Sequence, residues 1–309
     1  MNILLAAAEI NPFAKGGGMA DVTSYLCIEW AELGHEVVAV LPGYKSIERD
    51  KYNLVKTDIS FDVPMGFSTE KAVIYKGFFS NSEARIYLIA HDEFFDEDYV
   101  YGDRNEDDDD DRRFLFFSKA IPELCKELEF SPDIVNCHDY HTAFTIPFIK
   151  TQYKNDEIFK KTGTVFTIHN LSYQGKYDKY RVMDFSGLKN KEFNVGSWYE
   201  LDGKVNFMKT GIMYADRILT VSPTYSNEIK QPYYSEGMQD AINSRLRDIS
   251  GVRYGVNYRV WSAAVDSYLD EKYYQFFTEK LKKRYASLGY VSSSVQYYIR
   301  SIGESERNV

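Results

Sequence analysis

The sequence predicts an α/β fold, a Rossmann-like, doubly wound and mostly parallel sheet with added hairpins. Two observations carry this. Short apolar runs bounded by turn residues alternate with helix-compatible stretches at the start of the chain, and they alternate again from residue 130 onward. Between these regions, residues 52–62, 71–79 and 84–90 alternate only partly and read as hairpin strands.

Residues 2–8 form an apolar run that ends near a turn signal at Asn11-Pro12, which predicts a buried strand. The loop Lys15-Gly16-Gly17-Gly18 follows. Val22, Leu26 and Trp30 recur at every fourth position, so residues 19–33 predict a helix, closed by Gly34. Residues 36–41 give the next buried strand. Residues 112–128 predict a Phe-rich helix, 134–137 a strand and 142–153 a helix. A strand is predicted at 163–168, a helix at 207–214 and a strand at 217–221. Ser222 then caps a further helix with Pro223 at its first position. The five aspartates at 107–111 repel one another, so this run is expected as a solvated tip. Residues 269–288 read as a charged helix.

With 309 residues the chain suggests about two domains at ~150 residues each. Its 44% hydrophobic content excludes wholesale disorder. The 37 basic and 46 acidic residues give a net charge of −9 with no long basic stripe, which argues against a nucleic-acid partner. No apolar run is long enough for a membrane span. The first residues lack a basic segment and Glu9 interrupts them, so they do not read as a signal peptide. Three cysteines without paired spacing imply no disulfide framework and point to a reducing cytoplasm.

In an open α/β sheet, ligands bind beyond the carboxyl ends of the strands. Lys15, Gly16, Gly17, Gly18 and Asp21 follow the first strand there. His138, Asp139, Tyr140 and His141 follow the strand at 134–137. His169, Asn170, Tyr173 and Gln174 follow the strand at 163–168. Glycines before a helix let backbone amides approach an anion, and Lys15 adds a full positive charge. Taken alone, the same triglycine also serves as a tight turn. The histidines invite a metal reading, yet His138 and His141 straddle a strand end and no cysteine pair accompanies them, so no metal is expected. No serine sits in a nucleophile elbow.

These segments carry a resemblance. AAAEINPFAKGGGMADV (6–22), LGHEVVAVLPGY (33–44), DIVNCHDYHTA (133–143), TVFTIHNLSYQG (164–175) and VNFMKTGIMYADRILTVSPTYSNEI (205–229) run in register with bacterial glycogen synthases and plant starch synthases. The chain resembles these ADP-glucose-dependent α-1,4-glucan synthases of the two-Rossmann, GT-B architecture. The resemblance implies transfer of glucose from ADP-glucose to the non-reducing end of an α-1,4-glucan, glycogen or starch, with retention and without a cofactor. It implies that Lys15, Gly17, Gly18 and Asp21 serve the donor phosphates. His169 and Asp139 would be the catalytic residues at the transferred sugar. Tyr101, His138, His141, Asn170, Tyr173 and Gln174 would lie on the sugar and acceptor side.

The sequence also departs from the family pattern. Residues 1–250 correspond to the N-terminal Rossmann-like catalytic domain, and 251–309 to a crossover segment with an incomplete start of a second domain. The family's Leu-Asn-Gly-Ile-Asp reads Arg253-Tyr254-Gly255-Val256-Asn257 here, so Tyr254 stands where the family has Asn. Without the second domain the chain is expected to be inactive alone, and an uncovered apolar face predicts self-association. Two other readings stay open: a glucan- or partner-binding module without transfer, and a metal-dependent hydrolase using His138, His141 and His169.

Overall fold

The apolar runs of the sequence become neighbouring strands. The computed structural model describes residues 1–96, 100, 110–189 and 193–255. In chain order the elements are β1 (Asn2–Ala6), α1 (Met19–Glu32), β2 (Glu36–Pro42), β3 (Val55–Met65), β4 (Ser68–Phe78) and β5 (Arg85–Ala90). Next come α2 (Asp110–Glu127), β6 (Ile134–His138), a 3-10 turn at Tyr140–Thr142, α3 (Thr145–Thr151) and β7 (Gly163–Ile168). Then follow β8 (Lys176–Tyr177), α4 (Lys179–Ser186), β9 (Glu200–Leu201), β10 (Lys204–Asn206) and α5 (Phe207–Tyr214). The last described elements are β11 (Arg217–Thr220), α6 (Pro223–Glu228), α7 (Gln239–Ser244) and β12 (Ile249–Gly251).

Among the described residues the main sheet has nine strands in the order β12-β11-β7-β6-β1-β2-β5-β4-β3. Pairing is parallel from β12 through β5, and β5-β4-β3 close the edge as antiparallel hairpins. Parallel strands buried on both faces need near-continuous apolar sequence. Leu4, Leu5, Val38, Ala39, Val40, Val135, Phe166 and Ile168 meet that need and are buried. Gly34 ends α1 with a positive φ of 82°, which an L side chain adopts only with strain. The Ser222 hydroxyl accepts from the Tyr225 amide at 2.9 Å and starts α6 as its sequence predicts.

The aspartate run corrects the solvated-tip expectation. Residues 107–109 lie outside the described residues, but Asp110 and Asp111 open α2 and are only 7% and 1% exposed. Arg181 donates to Asp111 through Nε and Nη2 at 2.9 and 2.8 Å, and Arg113 Nη1 lies 3.2 Å from Asp110. A helix N-terminus and two guanidiniums neutralise the repulsion that the sequence alone suggested. The small sheet β8-β10-β9 and the edge strand β12 were not expected, because two or three residues are too few to show a period.

Gly211 on α5 marks where this helix rests on β7. A Cβ there would sit 2.6 Å from the buried ring of Phe166. Helix propensity favours alanine by ~1 kcal/mol, so the clash sets the sign. Gly211→Ala is expected to lose about 1–3 kcal/mol in urea unfolding. A variant as stable as the parent would mean that the Phe166 ring has room to move.

Candidate functional site

The strand order fixes where a site can form. β2 lies on one side of β1 and β6 on the other, so the sheet changes direction between β1 and β6. This is the topological switch point at which open α/β sheets leave a crevice. The carboxyl ends of β1, β6, β7 and β11 are neighbours on that rim.

After β1 the chain turns through Glu9 and the triglycine into α1. Gly18 caps α1 with no side-chain hydrogen bond, which leaves the first helical amides without a side-chain acceptor. The deeper part of the loop is already engaged. Glu9 is 2% exposed, and its Oε2 accepts from the Gly16 and Gly17 amides, each at 2.5 Å. Its carbonyl accepts from Thr23 Oγ1 at 2.8 Å. Burial pushes the Glu9 carboxyl up, while the two amides and Lys15 pull it down. Lys15 Nζ reaches both Asp21 oxygens at 2.9 Å, and Asn11 Nδ2 donates to the same carboxylate at 3.0 Å. The loop thus presents a lysine and an uncapped helix start, with its inner amides held by a carboxylate of its own chain.

Asp139 follows β6 with φ at 54°, a strained value for a side-chain-bearing residue. Contacts across the strand ends hold it there. Its amide donates to the Thr167 carbonyl at 3.0 Å, and its Oδ1 accepts from the His169 amide at 2.8 Å. Burial raises its carboxyl to about 7, against the His169 and Asn170 amides that lower it. His138 Nδ1 lies 2.8 Å from His169 Nε2. Burial lowers both imidazoles, His169 to about 4, so both are neutral at pH 7. The Tyr254 ring runs parallel to His169, 7° between planes, with centroids 6.5 Å apart.

The sequence-predicted residues divide into groups. Lys15, Gly17, Gly18 and Asp21 gather at the start of α1. Asp139, His169 and Asn170 lie together after β6 and β7, with Asn170 Oδ1 accepting from Ser172 at 3.0 Å. Tyr173 is 63% exposed on the same loop. His138 and His141 are buried beneath the rim, His141 against the Phe114 and Tyr140 rings. Gln174 directs its amide inward: Nε2 donates to Glu236 O at 2.8 Å, and Oε1 accepts from Asn206 Nδ2 at 2.7 Å. Tyr101 lies outside the described residues. Sequence reasoning missed Glu9 as part of the loop, although a carboxylate breaking an apolar run ahead of a glycine turn is a readable signal. It also missed Tyr225, whose hydroxyl accepts from the Leu171 amide at 2.9 Å and steadies the loop after β7. Among the described residues no group of three His, Cys, Asp or Glu side chains is arranged to hold a metal ion. No described helix is long and apolar enough to cross a membrane.

Residues 2–244 match the family model of the starch synthase catalytic domain. The glycogen synthase of Geotalea daltonii is 40% identical over 271 residues, covering 86% of this chain and 54% of that protein. That of Thermodesulfovibrio yellowstonii is 34% identical, covering 96% of this chain and 62% of that protein. The catalytic domain of starch synthase IV from Arabidopsis thaliana, solved with ADP and acarbose, superposes with a TM-score of 0.79 at 28% identity. It covers 87% of this chain, which covers 54% of it. The chain spans about half the length of the curated relatives it matches. A match that runs in sequence through every strand from β1 to β11 exceeds a shared fold, and this chain belongs to the glycogen and starch synthase family.

Proposed function

We propose that the chain is the N-terminal half of a retaining glucosyltransferase that moves glucose from ADP-glucose to the non-reducing end of an α-1,4-glucan. Residues 1–250 are its catalytic domain, and 251–309 begin the crossing to a second domain. The carrying observation is the shared rim: a lysine and an uncapped helix start after β1, beside Asp139 and His169 after the adjacent strands. Lys15, Gly17 and Gly18 suit the donor phosphates, with Asp21 steering the lysine. Asp139, His169, Asn170 and Tyr173 suit the sugar and the acceptor, with His138, His141 and Gln174 supporting them from below and Tyr101 on the acceptor side. The side chains position and polarise, and the departing ADP oxygen takes the acceptor proton. The ADP and acarbose held by the Arabidopsis neighbour support this assignment.

Incorporation of radiolabelled glucose from ADP-glucose into glycogen tests the reading. The chain alone is expected to be silent, and to gain incorporation when the remaining half of the Geotalea protein is supplied. No incorporation in either case removes the enzymatic reading. In the complemented enzyme Lys15→Ala is expected to raise the donor KM about tenfold or more, the scale of one charge-assisted bond. An unchanged donor KM would contradict the phosphate assignment.

A glucan-binding module without transfer is the second reading, favoured by Tyr254 standing where the family pattern has Asn. Glucan binding indifferent to ADP-glucose, with no incorporation after complementation, would select it. The reading includes a cytoplasmic setting and self-association. Sedimentation velocity over a concentration series tests the latter, and a monomer throughout removes it.

A further inference from the structure

We propose that His138 is a positioning residue that holds His169 in its Nδ1–H tautomer, so that His169 offers a ligand hydroxyl a hydrogen-bond donor. The inference rests on the proposed sugar-binding role of His169 and adds what that ring presents.

His138 ends β6, and its ring is wholly buried. The register that pairs His138 with Thr167 brings its Nδ1 to 2.8 Å from His169 Nε2, although the two residues are 31 apart in sequence. The backbone of His169 is fixed separately, by its amide bond to Asp139. One proton must lie between the facing nitrogens, and two arrangements place it. If His169 Nε2–H donates, His138 must accept at Nδ1 and carry its own proton on Nε2. That nitrogen is buried without a hydrogen-bond partner. An orphaned buried N–H is among the least tolerated groups in a folded protein. If His138 Nδ1–H donates instead, the orphaned Nε2 carries only a lone pair, a smaller debt. His169 Nε2 is then an acceptor, and its proton must sit on Nδ1. Nδ1 is also the ring nitrogen left for a ligand, since Nε2 is occupied. Burial keeps both rings neutral, so this arrangement holds at pH 7.

A donor at Nδ1 suits an oxygen with free lone pairs, such as a sugar hydroxyl or ring oxygen. It would not take a proton from one. His169 is thereby cast as a polarising group and not as a general base.

Long-range proton–nitrogen correlation spectra of the full chain, with labelled histidine at pH 7, test this directly. His169 is expected to show a bare, pyridine-like Nε2 and a protonated Nδ1. His138→Asn should preserve the pattern, because its amide nitrogen can donate from the place of Nδ1. His138→Asp, whose carboxylate in the place of Nδ1 can only accept, should switch His169 to the Nε2–H form, a change that mere loss of packing would not produce. A protonated Nε2 in the wild type, or an unswitched ring in a folded His138→Asp, overturns the proposal. Where aspartate prevents folding, the wild-type spectrum decides alone. Failure of glucose incorporation would leave these spectra unchanged, so the two readings fail separately.

Discussion

Asp139→Asn is expected to make the protein more stable at pH 8 and, in the complemented enzyme, to lower turnover on the order of 100-fold or more. The stability effect follows from linkage. Burial raises this carboxyl from 3.8 to about 7. The folded form therefore holds its proton more tightly than the unfolded chain does. The contribution is full below about pH 4 and is lost as pH rises through about 7. Above that, the ionised group costs the fold about 4 kcal/mol. Asparagine removes the charge and keeps one acceptor for the His169 amide, while its new N–H groups recover part of the cost. A net gain of about 1–3 kcal/mol at pH 8 is expected. The buried histidines act in the opposite sense. His138, His141 and His169 are lowered by burial, so their stability is present above 6.5 and is lost as pH falls, for His169 through about 4. Between pH 7 and 5 the one carboxyl offsets only part of the loss from the three histidines, so wild type should lose stability less steeply than the variant. The variant should lose stability steadily on acidification. Urea unfolding at several pH values checks this, and parallel curves for the two proteins would contradict the buried-carboxylate account.

Glu9→Ala should cost about 2–4 kcal/mol, because it leaves two loop amides without their shared charged acceptor. The Gly16 and Gly17 amides should lose hydrogen-exchange protection together. Glu9→Gln retains an acceptor oxygen and sheds a buried charge, so it should fall within about 1 kcal/mol of wild type. The pair of variants separates the acceptor role from packing. Unaltered amide protection in Glu9→Ala would show that something else holds the triglycine turn.

The legible parts of this chain were those governed by local rules. The apolar run at β7, the helix at α5 with its flanks, the Gly34 stop and the Ser222 cap each follow from residues a few positions apart. The rim residues Lys15, Asp139 and His169 were also legible, because each follows an apolar strand. The rest depends on partners distant in sequence. Glu9 looked like an interruption until the loop folded back on it. Asp110 and Asp111 looked repulsive until Arg113 and Arg181 came into reach. The His138–His169 pair exists only through the parallel register of β6 and β7. Tyr254 was visible as a departure, but its approach to His169 required the fold.

The central claim is that the triglycine corner and the Asp139–His169 pair form one ligand site. Backbone amide spectra of the labelled chain during titration with ADP-glucose test it most directly. The account predicts concerted shifts at Gly18, Asp139, His169 and Asn170, with a common saturation curve. Shifts confined to one of the two groups, or saturating at different concentrations, would contradict it.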